Sequence, residues 1–244
     1  MLSERFELGN KSIIKLSTTQ KYHLDEVNRK IVDKKYIFQL KPCICRSDKD
    51  SYKIVSKVDR YGINLQSKFC NNCGTIRVDP YLDSNSLSDF YKNHYQNLYR
   101  RYHNIDDYFK KQEEYAQELE NLLIKKKINF KSIFEIGCGA GGAINYFKKK
   151  NYKVGGSEYS GELLNFINRS DIKKFIFSPE KVTNYNYDII FLNHVFEHID
   201  DPEKFLIDII NKMKNETKII LTVPDYSRID KFKYPGGNLM SYIH

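Results

Sequence analysis

No stretch of this 244-residue chain approaches the roughly 18 consecutive apolar residues that a membrane-spanning helix needs. The first residues, Met1-Leu2-Ser3-Glu4-Arg5-Phe6-Glu7, lack the apolar core of a secretion signal. These absences argue against a membrane partner and place the protein in the cytoplasm by default. No internal repeat and no low-complexity linker interrupts the chain. Acidic residues are the minority, 31 against 40 Lys and Arg, which leaves a formal net charge of +9. Such an excess suits a polyanion such as RNA. The lysines, however, come in twos and threes at expected helix ends, as at Lys125–Lys127 and Lys148–Lys150, where they complement the helix dipole. A basic charge spread over solvated faces is the preferred reading, and an anionic small substrate fits it equally well. Cysteine is scarce, with five residues at 43, 45, 70, 73 and 138. In a cytosolic chain, close pairs of this kind argue for a metal before a disulfide.

The pattern divides the chain into three parts. Residues 1–82 read as a small β-rich module. Tyr36–Leu40, Tyr52–Val58 and Ile63–Phe69 alternate as strands do, with a turn at Asp59-Arg60-Tyr61-Gly62 and a knuckle at Cys70-Asn71-Asn72-Cys73-Gly74. Short strands near 11–16 and a helix over 23–32 precede them. Residues 83–128 read as a helical connector. One helix covers 84–99, capped by Ser84 or Ser86, with Leu87, Phe90, Tyr91, Tyr95 and Leu98 on its apolar face. A second covers 106–126. From 129 to 244, strands near 132–136, 153–157, 174–177, 187–192 and 217–222 alternate with helices. That alternation predicts an α/β fold with a doubly wound, Rossmann-like parallel sheet.

Three motifs carry chemistry. Residues 133–142 read Ile-Phe-Glu-Ile-Gly-Cys-Gly-Ala-Gly-Gly, an apolar strand ending in Glu135 and a turn rich in glycine. Glycine permits positive φ and close approach of a ligand, and a helix start behind the turn offers free N–H groups. Gly142 is expected to serve helix packing and Cys138 to be only a small residue in the turn. A second strand ends in Glu158, 23 residues after Glu135. An acid at that tip suits the two hydroxyls of a ribose. Third, residues 187–202 form a strand that runs into Asn193-His194-Val195-Phe196-Glu197-His198 and a helix start at Asp200-Asp201-Pro202. His194-x-x-Glu197-His198 also matches a zinc-peptidase pattern. That chemistry needs both histidines on one helix, and here His194 follows directly on a strand, so it is rejected.

In this order and spacing the three motifs resemble class I S-adenosylmethionine (SAM)-dependent methyltransferases, over roughly residues 131–224. The resemblance implies that Gly137, Gly139 and Gly141 pass under the donor's amino-acid end. It implies that Glu135 orders the loop, that Glu158 takes the ribose hydroxyls and that Tyr159 beside it is a donor-binding residue. Ser178 and Glu180 then lie where the family grips adenine, and Asn193 and His194 face the transferring methyl. His194 is the candidate base, since an imidazole titrates near neutrality, and His198 is expected to organise the loop. The family's sheet resembles seven strands, whereas five are countable here, so the chain is expected to be truncated or to close its sheet differently. Strand five would then be an edge.

The cysteines carry a second resemblance. Cys45-Arg46-Ser47, Cys70-x-x-Cys73-Gly74, Asp79-Pro80 and Phe90-Tyr91…Tyr95…Tyr99 are similar to bacterial methyltransferases of capsule and cell-surface sugar pathways with an N-terminal zinc-binding module. Four thiolates, Cys43, Cys45, Cys70 and Cys73, argue for a tetrahedral zinc site. The chain departs from that family in showing Cys43-x-Cys45 where Cys-x-x-Cys is expected. In the subgroup the helical segment folds over donor and substrate, which makes Tyr95 and Tyr99 lid candidates. The resemblance implies O-methylation of a nucleotide-activated sugar and leaves a homodimer open. C-methylation of a keto-deoxysugar, a tRNA or rRNA methyltransferase, and a non-catalytic SAM- or zinc-binding protein stand as alternatives. The chain has no Asn/Asp-Pro-Pro-Tyr after strand four and no cysteine placed for C5-pyrimidine chemistry, so two nucleic-acid subclasses are excluded and a nucleic-acid partner is not expected.

Overall fold

The computed structural model describes residues 14–47, 51–59, 61–99, 104–168, 170–199 and 201–223. These fall into two units, one ending at Tyr99 and one running from Asn104 to Val223. The two helices expected at 84–99 and 106–126 fall one in each unit. No helix among the described residues is long and apolar enough to cross a membrane.

The N-terminal unit opens with α1 (Thr18–Val32), which starts earlier than its hydrophobic spacing suggests because a capping box sets its first turn. Ser17 accepts from the Gln20 amide and Gln20 from the Ser17 amide. No strand forms at 14–16, and the rest of that expected strand lies outside the described residues. β1 (Phe38–Gln39) pairs antiparallel with β5 (Tyr81–Leu82), and β2 (Tyr52–Ser56), β3 (Ser67–Cys70) and β4 (Ile76–Val78) form an antiparallel sheet. β3 starts later than the alternation from Ile63 suggests. Asp59 is the reason: its Oδ1 accepts from the amides of Tyr61 and Ile63 at 2.9 and 2.8 Å, which bends the chain.

α2 (Ser84–Phe90) runs through a π turn at Tyr91–Tyr95 into α3 (Gln96–Tyr99). Its cap is Asp83 rather than Ser84 or Ser86, the carboxylate accepting from Ser86 N at 2.8 Å. The Ser86 hydroxyl instead accepts from Ile37 N at 2.9 Å. Val27, Tyr36, Ile63, Leu65, Phe90 and Leu98 form the unit's core. Beside it, a polar chain ties α1 to the π turn. Asp89 accepts from Lys30 Nζ and the Tyr36 hydroxyl at 2.5 and 2.7 Å, and His94 lies 3.1 Å from both Lys30 Nζ and His23 Nδ1.

The second unit begins with α4 (Ile105–Lys125) and continues as β6 (Ser132–Ile136), α5 (Gly142–Lys149), β7 (Lys153–Ser157), α6 (Gly161–Ile167), β8 (Ile176–Phe177), β9 (Ile189–Asn193), α7 (Pro202–Lys212) and β10 (Lys218–Thr222). All five strands are parallel, in the order β10-β9-β6-β7-β8. Side chains alternate between two apolar layers, as the period of a strand requires. Ile133, Ile189 and Phe191 face the cluster with α4 and α5, while Phe134, Ile136, Ile190 and Leu192 face the cluster with Ile209 of α7. A sheet buried on both faces accounts for the apolar runs in β6 and β9. Among the described residues β10 pairs with β9 alone, the edge position expected for strand five.

A buried carboxylate locks α4 to the α5 region. Glu120 is 4% exposed. It accepts from the Tyr146 hydroxyl at 2.7 Å, Lys150 Nζ at 2.5 Å and the Tyr152 hydroxyl at 3.0 Å. Replacing it strands three donors, so Glu120→Ala is expected to cost about 1.5–3 kcal/mol of unfolding free energy. Urea denaturation of the two proteins measures this, and a loss under about 0.5 kcal/mol would show that the lock carries no stability.

Candidate active site

β6 stands at the middle of the sheet, with β7 and β8 on one flank and β9 and β10 on the other. The reversal of strand order beside β6 makes its carboxyl end the switch point at which open α/β sheets bind ligands. Every motif residue predicted in this unit sits at that edge.

The loop leaving β6 depends on glycine for two reasons. Gly137, Gly139 and Gly141 adopt φ of 71°, 58° and 85°, values that other residues tolerate poorly. Space is equally short. A Cβ on Gly139 would lie 2.5 Å from the Tyr108 hydroxyl and 2.6 Å from Gln112 Nε2, and one on Gly137 would lie 2.6 Å from Val195 in the loop after β9. Gly142 packs the helix as expected, since its Cβ would strike the Phe109 carbonyl of α4 at 2.1 Å. Cys138 is buried and sits against Gly156, again as a small residue.

The amides of the turn itself, from Cys138 to Gly142, are not free. Cys138 N donates to Ser157 O and Gly141 N to Cys138 O, both at 2.9 Å. Gly139 N donates to Glu158 Oε2 at 2.8 Å. Ala140 and Gly142 donate to Gln112 Oε1 at 3.0 and 3.3 Å, and Gln112 Nε2 donates back to Cys138 O at 2.9 Å. Gln112, on α4, escaped the sequence reading, because no local pattern marks a partner so far along the chain. With these bonds made, no N–H from Cys138 to Gly142 is left over for a phosphate.

The two acids are arranged differently. Glu135 is buried, and its Oε2 has no hydrogen-bond partner among the described residues. Burial, and then the neighbouring charge of Glu158, push its carboxyl up to about 8. Glu158 accepts from Gly139 N on one oxygen and from Tyr159 N and Ser160 N on the other, each at 2.8 Å. Burial raises its pKa, while these three amides pull it the other way. A carboxylate offers about four acceptor sites, so Glu158 keeps room for one more donor. Two acids thus meet at the sheet edge, one held by three amides and the other without a hydrogen-bond partner and protonated near pH 7.

Tyr159 presents its ring to solvent, 81% exposed. Glu180 is also exposed and Ser178 half-buried, in the turn after β8. Asn193 ends β9 and accepts from the Thr222 hydroxyl at 2.5 Å. His194 follows with φ of 53°, an uncommon value for a non-glycine residue. Its amide donates to Thr222 O at 3.0 Å, and its Nδ1 lies 3.2 Å from Glu197 Oε1. His198, in the same 3₁₀ turn as Glu197, is half-buried, and desolvation pulls its imidazole down to about 4. It is therefore neutral near pH 7. Glu197 is a second residue that the reading passed over, although it lay inside the quoted motif.

In the N-terminal unit the Tyr95 and Tyr99 rings stack with centroids 5.0 Å apart. Tyr99 is buried there and its hydroxyl donates to Asp59. The four predicted cysteines do converge. The Sγ atoms of Cys43, Cys45, Cys70 and Cys73 all lie within 4.8 Å of one another. Cys43–Cys73 is 3.5 Å and Cys45–Cys70 is 3.7 Å, close to the ~3.8 Å edge that a tetrahedron with 2.3 Å zinc–sulfur bonds requires. The irregular Cys43-x-Cys45 spacing works because the chain turns there. Arg46 N donates to Cys43 O at 2.7 Å, and Arg46 takes a φ of 54°. Ser47, 3.1 Å from Cys45 and 3.3 Å from Cys70, is the largest cause holding both thiols below their usual range. That favours the thiolates a metal needs at these two positions, whereas burial pushes the Cys43 thiol up to about 12.

A family model described as a methyltransferase domain matches residues 108–239. No curated protein matches the chain. Among solved structures the chain is similar to the plantazolicin methyltransferase BpumL in complex with a triazolic desmethylPZN analog and SAH, at 18% identity and a TM-score of 0.43, covering 58% of each chain. It is also similar to a S-adenosylmethionine-dependent methyltransferase from Clostridium acetobutylicum ATCC 824, at 15% identity and a TM-score of 0.40, covering 59% of this chain and 60% of that one. Streptomyces venezuelae DesVI matches at 12% identity and a TM-score of 0.39, over 46% and 50%. The chain thus spans about three-fifths of the length of the first two. At such values the likenesses carry no argument about chemistry.

The unpartnered Glu135 carboxyl makes stability depend on pH. Its folded pKa of about 8 lies above the ~4.3 of an unfolded glutamate. The folded chain therefore holds the proton more tightly, and this contribution is full below the unfolded value and lost as pH rises through 8. Thermal melts of the wild type and Glu135→Gln between pH 5 and 9 are expected to show the variant gaining relative stability as pH rises. A constant difference in melting temperature would show that Glu135 ionises freely in the folded chain.

Proposed function

The chain belongs to the methyltransferase-domain family, and on that premise we propose that it transfers a methyl group from SAM to a hydroxyl of a nucleotide-activated sugar. The donor assignment is carried by one observation, the buried Glu135 carboxyl with an unpartnered oxygen beside a loop whose amides are already engaged. Such a cradle disfavours a phosphate, and Glu135, which holds its proton near pH 7 in the free chain, gives it up when the ammonium of SAM's amino-acid end arrives. Gly137, Gly139 and Gly141, by their positive φ, shape the loop along which that end would rest, and Glu158 keeps an acceptor site for ribose hydroxyls. Tyr159, Ser178 and Glu180 surround the place for the base. S-adenosylmethionine bound there supplies an electrophilic methyl group on a sulfonium, and its demethylated product occupies the same cradle.

Asn193 and His194 stand where β9 delivers side chains to the same edge. His194 is about half exposed and takes the acceptor's proton as general base. His198, held neutral, shapes the loop. The basic excess of the chain supports an anionic acceptor such as a sugar-nucleotide pyrophosphate. The sugar pathway, the cytoplasmic setting and a homodimer belong to the same reading. The cysteine cluster holds zinc as a structural ion, since four thiolates leave no open ligand position.

Incubating the protein with labelled SAM, a panel of nucleotide sugars and total tRNA tests the function. Label is expected in a nucleotide sugar, with His194→Ala lowering kcat about 10²–10⁴-fold while SAM affinity by calorimetry holds. Label in RNA, transfer to carbon, or SAM binding without turnover on any acceptor would overturn the acceptor assignment, and absent SAM binding would overturn the whole reading.

The metal makes a separate prediction. Metal analysis is expected to find about one zinc per chain, and chelation to unfold the N-terminal unit. A metal-free preparation with that unit intact would remove zinc from the site.

A further inference from the structure

The proposed base leaves one buried acid unexplained. Glu197 lies three residues after His194, in the 3₁₀ turn Phe196–His198. Its side chain is 10% exposed against 47% for His194. One carboxylate oxygen meets His194 Nδ1 at 3.2 Å. The other is buried without a hydrogen-bond partner among the described residues. A half-satisfied buried carboxylate is costly unless a positive charge comes to it. His198, next in the chain, is held neutral by burial and does not supply that charge.

We propose that Glu197 is the positioning residue of the His194 base, fixing the imidazole as its Nδ1–H tautomer and holding the charge that the ring acquires. This rests on the assignment of His194 as base. The geometry allows one proton arrangement. An ionised carboxylate only accepts, so the shared hydrogen belongs to Nδ1. In the neutral ring Nε2 then carries the lone pair, and it lies on the side away from Glu197. A free histidine prefers the opposite tautomer, so the acid overrides the intrinsic preference. The backbone completes the arrangement. His194 is held in its left-handed conformation by its amide bond to Thr222 O at 3.0 Å. The Cα is thus fixed from β10 and the ring from the turn, as base and orienting group are in other two-residue systems. When the acceptor hydroxyl gives its proton to Nε2, the ring becomes a cation and Glu197 balances it, with no change at Glu197 itself.

Nitrogen NMR on the full chain, labelled with ¹⁵N-histidine, reads the tautomer without donor or acceptor. The His194 signal is assigned by its loss in His194→Ala. The neutral ring is expected as Nδ1–H in the wild type and as mostly Nε2–H in Glu197→Ala. A wild-type Nε2–H ring, or an unchanged tautomer in Glu197→Ala, would overturn the proposal. Should Glu197→Ala fail to fold, Glu197→Gln keeps an acceptor without the charge. It is expected to retain the Nδ1–H form while lowering kcat on the labelled-sugar assay at least tenfold, with KM for SAM unchanged. Full kcat in Glu197→Gln would remove the charge-holding role. Because the tautomer is read on the protein alone, its failure is distinct from a failure of SAM binding or methyl transfer.

Discussion

One amide side chain sets the shape of the site. Gln112 reaches from α4 to three backbone groups of the glycine turn, accepting from Ala140 and Gly142 and donating to Cys138 O. It uses both ends of its amide, so its orientation is fixed by the loop as much as the loop is by it. The glycines make this reach feasible, since a Cβ at Gly139 or Gly142 would collide with α4. The consequence is electrostatic. A helix start behind a glycine turn ordinarily offers its amides to an anion. Here Gln112 and Glu158 take them, and what remains at the sheet edge is a carboxyl, Glu135, without a partner.

The parts of this arrangement that follow from local rules were legible in the sequence. β6, β7 and β10 fall within a residue of where their patterns end, and for β6 the reason is burial on both faces, which calls for an apolar run. The acids Glu135 and Glu158 stand at their expected strand ends. The four cysteines meet as their spacing implied, even though Cys43 and Cys45 are one residue too close for a regular knuckle. The sequence does not announce the left-handed Arg46 that makes the turn work, since nothing about arginine favours that conformation. Gln112 was invisible for a different reason. Its partners lie 26 to 30 residues away, and a glutamine on an amphipathic helix reads as a solvated face. The N-terminal boundaries failed where side chains bond backbone, as at Asp59, Asp83 and Ser17. Each is a capping or turn acceptor that competes with the periodicity on which strand and helix limits were judged.

Charge is divided in the chain. The surface is basic overall, yet the sheet edge gathers Glu135, Glu158, Glu180 and Glu197. Lysines at the helix ends serve the solvated faces. Lys148, for instance, pairs with Asp171, while Lys149 meets Glu113 and Lys150 meets Glu120. None of these ion pairs involves Glu158, Glu180 or Glu197, while Glu135 holds its proton near pH 7.

The conformation of His194 shows how an edge strand contributes to such a site. A non-glycine residue at positive φ costs on the order of 1–3 kcal/mol and persists only where the surroundings over-determine it. β10 provides that constraint. Its Thr222 pairs in register with Asn193, donates its hydroxyl to the Asn193 side chain and accepts the His194 amide. Three contacts from one residue thus end β9 abruptly and turn the chain so that the ring leaves the sheet toward solvent. Glycine at 194 would relieve the strain but lose the imidazole. Histidine is kept against the local preference because Thr222 holds its backbone and Glu197 holds its ring. β10, which among the described residues pairs with β9 alone, is therefore the strand that aims the ring of His194 at the sheet edge.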